Sequence, residues 1–221
     1  MNGQPARSHA LSVAAPWNQS IITTFYGEEQ LVVQSREELA GLNPTTGKVL
    51  WSEKIPAYRG MNILTPMPYG NAIFTSTYGG KAWLYDIIKN ADESFTVQQR
   101  WQNKVQGYMS SPVIVGEHVY LHLRNRRFIC INLETGKETF TTKPFGEYWS
   151  MIARDNRILA LDEKGELLLI EANPKAFTLI DRAKVSDQPA WAHLAKNGGE
   201  LFIRDMNSLR RFQWETPTSA Q

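Results

Sequence analysis

Residues 41–51 read Gly-Leu-Asn-Pro-Thr-Thr-Gly-Lys-Val-Leu-Trp, and residues 130–140 read Cys-Ile-Asn-Leu-Glu-Thr-Gly-Lys-Glu-Thr-Phe. Both stretches have a small residue, an apolar residue and Asn, followed after two variable positions by Thr-Gly-Lys and then by an aromatic residue. The stretches start 89 residues apart, which is two units of about 44 residues. The sequence therefore indicates an internal repeat.

Further copies of the repeat lie between and after these two stretches. Apolar runs end in a polar residue at Asn43, Asp86, Asn132, Glu171 and Gln213, at steps of 43, 46, 39 and 42 residues. This spacing, with strands of about five residues and polar turns, is typical of four-stranded propeller blades. We therefore predict an all-β fold, a β-propeller, in a single domain over residues 1–221. Its five blades are expected at residues 17–57, 58–105, 106–145, 146–186 and 187–214.

The two Asn-x-x-Thr-Gly-Lys segments are interpreted as tight turns. Asn43 and Asn132 can accept hydrogen bonds from the main chain ahead of them, and Gly47 and Gly136 tolerate a left-handed conformation. A phosphate-binding loop would need an earlier Gly, a hydroxyl residue after Lys and a following helix. Neither copy has these features, so the segments predict a structural turn.

Charge and apolar content exclude some functions. The net charge is +2, from 24 basic and 22 acidic residues, which is too balanced to favour nucleic-acid binding. No apolar stretch approaches the roughly 20 residues of a transmembrane helix, and residues 1–20 lack the apolar centre of a signal peptide. Cys130 is the single cysteine, and its apolar neighbours predict a buried side chain.

The repeated stretch resembles the tryptophan-docking motif of the quinoprotein propeller superfamily. The matching positions are Asn43, Thr46, Gly47 and Trp51 in the first copy, and Asn132, Thr135, Gly136 and Phe140 in the second. Within the superfamily, the chain is similar to PQQ-like repeat proteins related to the propeller lipoprotein of the outer-membrane β-barrel assembly machinery. The resemblance implies a structural role for the motif, with Trp51 lying across a peptide of the next blade. It also implies a periplasmic or other extracytoplasmic location.

Propellers of this kind usually have seven or eight blades, whereas five are predicted here. Trp214 and the polar residues after it look like a native end, but residues 7–10, Arg-Ser-His-Ala, enter a strand pattern at once. We therefore expect an N-terminally incomplete propeller rather than a closed five-bladed ring. Missing blades, or another chain, would cover the open edges.

Enzymes of the superfamily bind pyrroloquinoline quinone with calcium, and the dehydrogenases also have a pair of adjacent cysteines. The sequence has one cysteine and no carboxylate cluster that maps onto the calcium site, so no cofactor and no catalytic or metal residues are assigned. His118 and His122 on one extended strand would be separated by about 13 Å. His9 and His193 are isolated in the sequence.

The mouth of the propeller channel remains as a candidate binding site, because loops from every blade meet there. The residues expected at or near equivalent positions are Arg59, Asn62, Tyr108, Tyr148, Trp149, Trp191 and His193. Their aromatic rings could grip a peptide or stack on a sugar, or they could plug the channel.

Three functions are compatible with these patterns. We favour a non-catalytic scaffold that binds a protein or peptide through loop-borne Tyr, Trp and Arg side chains. The alternatives are a fragment of a quinone-dependent oxidoreductase and a carbohydrate-binding propeller. Fold alone does not choose among them, because propellers carry many chemistries.

Overall fold

The computed structural model describes residues 19–213, which form five β-sheets in which each strand pairs with the next one in the chain. The first sheet contains β1 (Gln19–Phe25), β2 (Glu28–Gln34), β3 (Glu38–Leu42) and β4 (Val49–Lys54). The second contains β5 (Met67–Tyr69), β6 (Ala72–Ser76), β7 (Ala82–Lys89) and β8 (Phe95–Asn103). The third contains β9 (Val113–Val115), β10 (His118–His122), β11 (Phe128–Asn132) and β12 (Glu138–Thr141).

The fourth sheet contains β13 (Ser150–Arg154), β14 (Arg157–Leu161), β15 (Glu166–Glu171) and β16 (Thr178–Lys184). The fifth has three strands within residues 19–213, namely β17 (Ala195–Asn197), β18 (Glu200–Arg204) and β19 (Leu209–Gln213). The described residues do not include His9, Trp214 or the strand pattern that was predicted at residues 7–10. The assignment of residues 1–221 to one domain stays a prediction.

The prediction of an all-β chain is confirmed. Apart from strands, the described residues contain one short 3-10 turn, at Tyr58–Gly60. No helix within residues 19–213 has the length and apolar character needed to cross a membrane.

The four-stranded sheets share one irregularity, a register shift between the third strand and the fourth. The shift follows Gly41 in the first sheet, Leu84 in the second, Cys130 in the third and Leu169 in the fourth. These residues occupy the same position in each repeat, two residues before Asn43, Asp86, Asn132 and Glu171. A bulge at this point therefore belongs to the repeat itself, even in copies that have lost Thr-Gly.

The chain divides into two compact units. Within the described residues, the first comprises 19–109 and 132–137, and the second comprises 110–131 and 138–213. The core of the first unit includes Phe25, Trp51, Ile73 and Trp83. The second unit has one core cluster around Tyr120, Phe128 and Trp149 and another around Leu161, Leu201 and Ile203. Aromatic residues thus supply much of the core in each unit.

Candidate functional site

The turn after β3 is held by the side chain of Asn43. Its oxygen accepts hydrogen bonds from the main-chain N–H groups of Thr45 and Thr46, at 3.0 and 2.8 Å. Gly47 has a φ of +69°, and its N–H donates to the main-chain oxygen of Asn43 at 2.9 Å. Asn43, Thr46 and Gly47 therefore form a closed turn.

The turn after β11 repeats this arrangement. The side-chain oxygen of Asn132 accepts hydrogen bonds from the main-chain N–H and the hydroxyl of Thr135, both at 2.9 Å. Gly136 also has a φ of +69°, and its N–H donates to the main-chain oxygen of Asn132 at 2.8 Å. Asn132, Thr135 and Gly136 therefore close a turn like that of the first copy.

Trp51 packs across its own sheet. It lies opposite Gly41, is 4% exposed, and donates a hydrogen bond from Nε1 to Oε1 of Gln30 at 2.7 Å. A Cβ atom at Gly41 would lie 2.2 Å from that Nε1, so the ring occupies the space that a side chain at residue 41 would need. The predicted contact of Trp51 with a peptide of the next repeat stays a prediction.

Trp101 packs on the second motif turn, a contact that the sequence pattern did not predict. The Nε1 of Trp101 donates to the main-chain oxygen of Leu133 at 2.5 Å, and a Cβ at Gly136 would lie 2.6 Å from its Cδ2. The side chain of Asn103 adds a hydrogen bond to the main-chain oxygen of Gly136 at 2.9 Å. A tryptophan of the second sheet is therefore docked on the turn at residues 132–137.

Trp101 is the counterpart of Trp51 in the second repeat, but its distance along the sequence from the residue opposite it is longer. Trp101 lies opposite Leu84, just as Trp51 lies opposite Gly41. The loop between β7 and β8 is longer than the turn between β3 and β4, so the aromatic residue follows its partner after seventeen residues instead of ten. A motif that fixes the spacing at ten residues therefore does not include Trp101.

Phe140, the last member of the second motif, packs within the third sheet. It lies opposite Cys130, and its ring contacts those of Tyr120 and Phe128 at 6.5 and 6.0 Å between centroids. Cys130 is buried as predicted, and this burial raises the pKa of its thiol. Cys130 therefore belongs to the core, and the partly buried Phe140 packs against it.

In the first unit, Arg59 and Tyr108 belong to one row of aromatic side chains. The Arg59 guanidinium lies 5.2 Å from the ring of Tyr58, which meets Tyr78 edge-on at 5.4 Å. Tyr78 in turn contacts Tyr108 at 5.0 Å. Tyr58 and Tyr78 were not predicted, because they lie on separate loops and only the fold brings them together.

Asn62 is buried rather than presented to a ligand. It is 2% exposed, and its Nδ2 donates to the main-chain oxygens of Ser35 and Arg36 at 2.9 and 3.1 Å. The side chain thereby holds the turn between β2 and β3. We correct its assignment from a binding residue to a loop-stabilising one.

In the second unit, the predicted residues Tyr148 and Trp191 contact each other, and the predicted His193 contacts Ser111. Tyr148, which has a φ of +50°, meets Trp191 edge-on at 6.4 Å between ring centroids. Trp191 is 60% exposed. His193 is also exposed, and its Nδ1 forms a hydrogen bond with the Ser111 hydroxyl at 2.8 Å.

Trp149 is a core residue, which corrects its assignment as a binding residue. It is 0% exposed and stacks on His122 at 4.5 Å, with the rings 9° from parallel. The His122 Nε2 donates to the main-chain oxygen of Phe145 at 2.8 Å. Burial lowers the pKa of His122 to about 4, so this histidine is neutral near pH 7 and is used in packing.

Trp191 forms one wall of a cavity of about 350 Å³. The lining also includes charged side chains of both signs, namely those of Glu163, Lys164, Lys184 and Asp187. Burial, together with the nearby Glu147 carboxylate, raises the pKa of Glu163. The site combines an exposed aromatic face with charged groups, which suits recognition of an amphipathic ligand.

The side chains that could bind a metal ion do not cluster within residues 19–213. Within residues 19–213, no three His, Cys, Asp or Glu side chains lie close enough to hold one ion. His118 and His122 belong to the same strand, β10, where His122 is buried against Trp149.

The comparisons with known proteins point to one family. A family model described as outer membrane protein assembly factor BamB matches residues 7–142. No curated protein matches the sequence.

Solved structures with a similar fold include the β-propellers BamB and Swd1. BamB from Moraxella catarrhalis has a TM-score of 0.67 at 11% identity, over 86% of this chain and 56% of that chain. BBS1N, solved in complex with ARL6DN, has a TM-score of 0.64 at 13% identity, over 90% and 65%. The β-propeller domain of Swd1 from Myceliophteria thermophila has a TM-score of 0.56 at 12% identity, over 83% and 68%. The β-propeller prediction is confirmed, and the chain spans just over half the length of the Moraxella protein.

Proposed function

Because the chain belongs to the family of the outer membrane protein assembly factor BamB, we propose that it is a non-catalytic scaffold that binds a protein or peptide partner. The family and its fold support a protein-binding propeller in general terms. The description of the family directs the search for the partner to proteins of outer-membrane protein assembly.

Our choice of a particular binding surface rests on one observation, which is the exposure of Trp191. A tryptophan that is 60% exposed on a loop leaves a large apolar ring in water, and such rings are enriched among the residues that dominate binding energy. Tyr148 contacts its edge and gives the ring a defined orientation. A rigid aromatic anchor loses little conformational entropy when it is buried by a partner.

The surroundings of Trp191 suit a polypeptide better than a purely apolar ligand. The adjoining cavity presents the Lys164 and Lys184 side chains and the Glu163 and Asp187 carboxylates. A protein segment can place acidic and basic side chains opposite these lysines and carboxylates while another of its side chains packs on the indole. We therefore place the partner-binding surface at Tyr148, Trp191 and this cavity.

The test combines crosslinking with a matched pair of alanine variants. A photoreactive benzoylphenylalanine in place of Tyr148 should crosslink one discrete protein of the outer-membrane assembly apparatus. The affinity of that protein for the Trp191→Ala variant should fall by roughly thirtyfold, which corresponds to about 2 kcal/mol. The Ile22→Ala variant removes an apolar residue that is 62% exposed in the other unit, and it should bind as well as the original chain.

Equal affinities of the Trp191→Ala and Ile22→Ala variants would contradict this assignment. The oxidoreductase alternative is tested by thermal melting with pyrroloquinoline quinone and calcium. Ligand at a hundred times its dissociation constant adds about 2.7 kcal/mol, or roughly 5–10 °C for a chain of this size. We expect no such increase in the melting temperature, and an increase of that size would favour the enzyme.

A further inference from the structure

A second groove of the same unit lies beside the Trp191 cavity. It has a volume of about 470 Å³, and it is bordered by the segment at residues 142–146 on one side and by β15 and β16 on the other. Lys164 lines both this groove and the Trp191 cavity. The two depressions therefore adjoin at the turn between β14 and β15.

The floor of the groove is apolar. Phe145, Phe177 and Leu179 are partly buried there and pack against the core cluster of the third and fourth sheets, while Leu168 is almost fully buried. The rings of Phe145 and Phe177 lie 5.3 Å apart. The floor can accept an aromatic or branched aliphatic side chain.

The rim of the groove is cationic. Lys143, Lys164 and Arg182 are exposed along it, and within residues 19–213 none of the three forms an ion pair with a carboxylate. Their charges therefore remain accessible to a ligand at the rim of the groove.

The two acidic residues of the groove, Asp162 and Glu166, do not fully cancel the charge of the three basic residues. The Asp162 carboxylate is 3% exposed, and it accepts a hydrogen bond from the main-chain N–H of Glu166 at 2.9 Å. Its burial raises its pKa. Glu166 lies opposite Lys184 in the pairing of β15 with β16. The rim thus keeps an excess of positive charge that an anionic partner would complement.

The walls are fixed by hydrogen bonds to main-chain oxygens before any ligand binds. The N–H of Thr142 donates to the oxygen of Phe128 at 3.0 Å, and the N–H of Phe145 donates to the oxygen of Arg126 at 2.7 Å. On the opposite side, the Lys184 Nζ donates to the main-chain oxygen of Lys164 at 2.6 Å. A preformed groove avoids an ordering cost on binding.

From this geometry we infer that the groove binds an extended acidic segment of a partner protein, in which an aromatic or aliphatic side chain is flanked by Asp or Glu. The apolar side chain enters the floor between Phe145 and Phe177, and the carboxylates face Lys143 and Arg182. The inference rests on the proposed protein-binding function and adds the chemistry of the bound segment.

Three synthetic fluorescein-labelled peptides test this inference by anisotropy. The first has one Phe flanked on each side by two Asp, the second has Lys in place of Asp, and the third has Ser in place of Phe. The first peptide should bind the full chain in a salt-sensitive manner, and the other two should bind at least tenfold more weakly.

Two charge-reversal variants complete the test. The double variant Lys143→Glu/Arg182→Glu should lose roughly tenfold in affinity for the first peptide. The Lys175→Glu variant changes an exposed lysine of the same unit that does not line the groove, and it should keep its affinity. Both altered positions of the double variant are exposed, so the fold should persist, and circular dichroism checks it.

Several outcomes would overturn the inference. If the Ser peptide bound as tightly as the first peptide, the apolar floor would not contribute to binding. If the Lys peptide bound as tightly as the first peptide, the groove would not select for negative charge. Unchanged affinity of the double variant, or no binding of the first peptide, would also overturn it. If the crosslinked partner still depends on Trp191 in that case, only the groove assignment fails and the proposed function stands.

Discussion

The indole of Trp101 covers Gly136, so that a Cβ atom at residue 136 would lie only 2.6 Å from the ring. The same indole donates its Nε1 hydrogen to Leu133 in that turn. The turn has no space for a side chain at residue 136, and its backbone there is left-handed. Glycine is required at this position for both reasons.

The Gly136→Ala variant should therefore lose about 2–3 kcal/mol of unfolding free energy, because the methyl group meets the indole and the positive φ strains alanine. Gly198 is a matched control, since its φ is +55° and nothing lies within 4 Å of a Cβ there. We expect Gly198→Ala to lose about 1 kcal/mol from the backbone alone. Denaturant unfolding measures both losses, and equal losses would argue against the contact with Trp101.

The Trp51→Phe variant should lose about 2–3 kcal/mol, because it leaves Oε1 of the buried Gln30 without its donor. The Gln30 Nε2 already lacks a partner among the described residues. Adding Gln30→Met removes both unpaired polar atoms and should restore part of the stability. Chemical denaturation compares the single and double variants, and a double variant less stable than Trp51→Phe would contradict the role of this hydrogen bond.

The stability should depend on pH through His122. Burial lowers its pKa in the folded chain to about 4, from 6.5, so the unfolded chain binds more protons between these values. The unfolding free energy should fall as the pH is lowered from about 6.5 to about 4, by up to about 3 kcal/mol, and His122 should contribute no further change below that. The His122→Gln variant, which keeps a donor for Phe145, should show a flatter profile, and an unchanged profile would exclude His122 as the cause.

The Asp205→Ala variant should loosen the fifth sheet. The Ser186 hydroxyl and the main-chain N–H groups of Asn207 and Ser208 hold the pKa of Asp205 well below its usual range. Without the carboxylate, the turn between β18 and β19 loses these partners, so amide hydrogens of β18 and β19 should exchange faster. The Asp187→Ala variant changes a carboxylate that is 93% exposed, and its exchange rates should match those of the original chain.

The repeat could be predicted from sequence because its signals are local. Asn43 with Gly47, and Asn132 with Gly136, close the same five-residue turn, and such a turn depends on neighbouring residues alone. The strand alternation and the step of about 43 residues also survive in copies that have lost these residues. This is why the all-β propeller fold was predictable from one chain.

The candidate site was predictable only in part. Trp149 and Trp191 both belong to connections between repeats, yet one is 0% and the other 60% exposed. Burial of Trp149 depends on Phe128 and on His122, which precedes it by 27 residues, and no local pattern reports that packing. The groove between Phe145 and Phe177 was not found from sequence for the same reason.

The sequence alone determined the repeat, its turns and its strand content, because hydrogen bonds within a turn and alternation along a strand act between residues close in the chain. The tertiary structure alone decided that Trp101 docks on Gly136, that Asn62 and Trp149 are buried, and that three cations surround an apolar floor. These features arise from side chains distant in sequence that meet at fixed distances, and packing sets those distances.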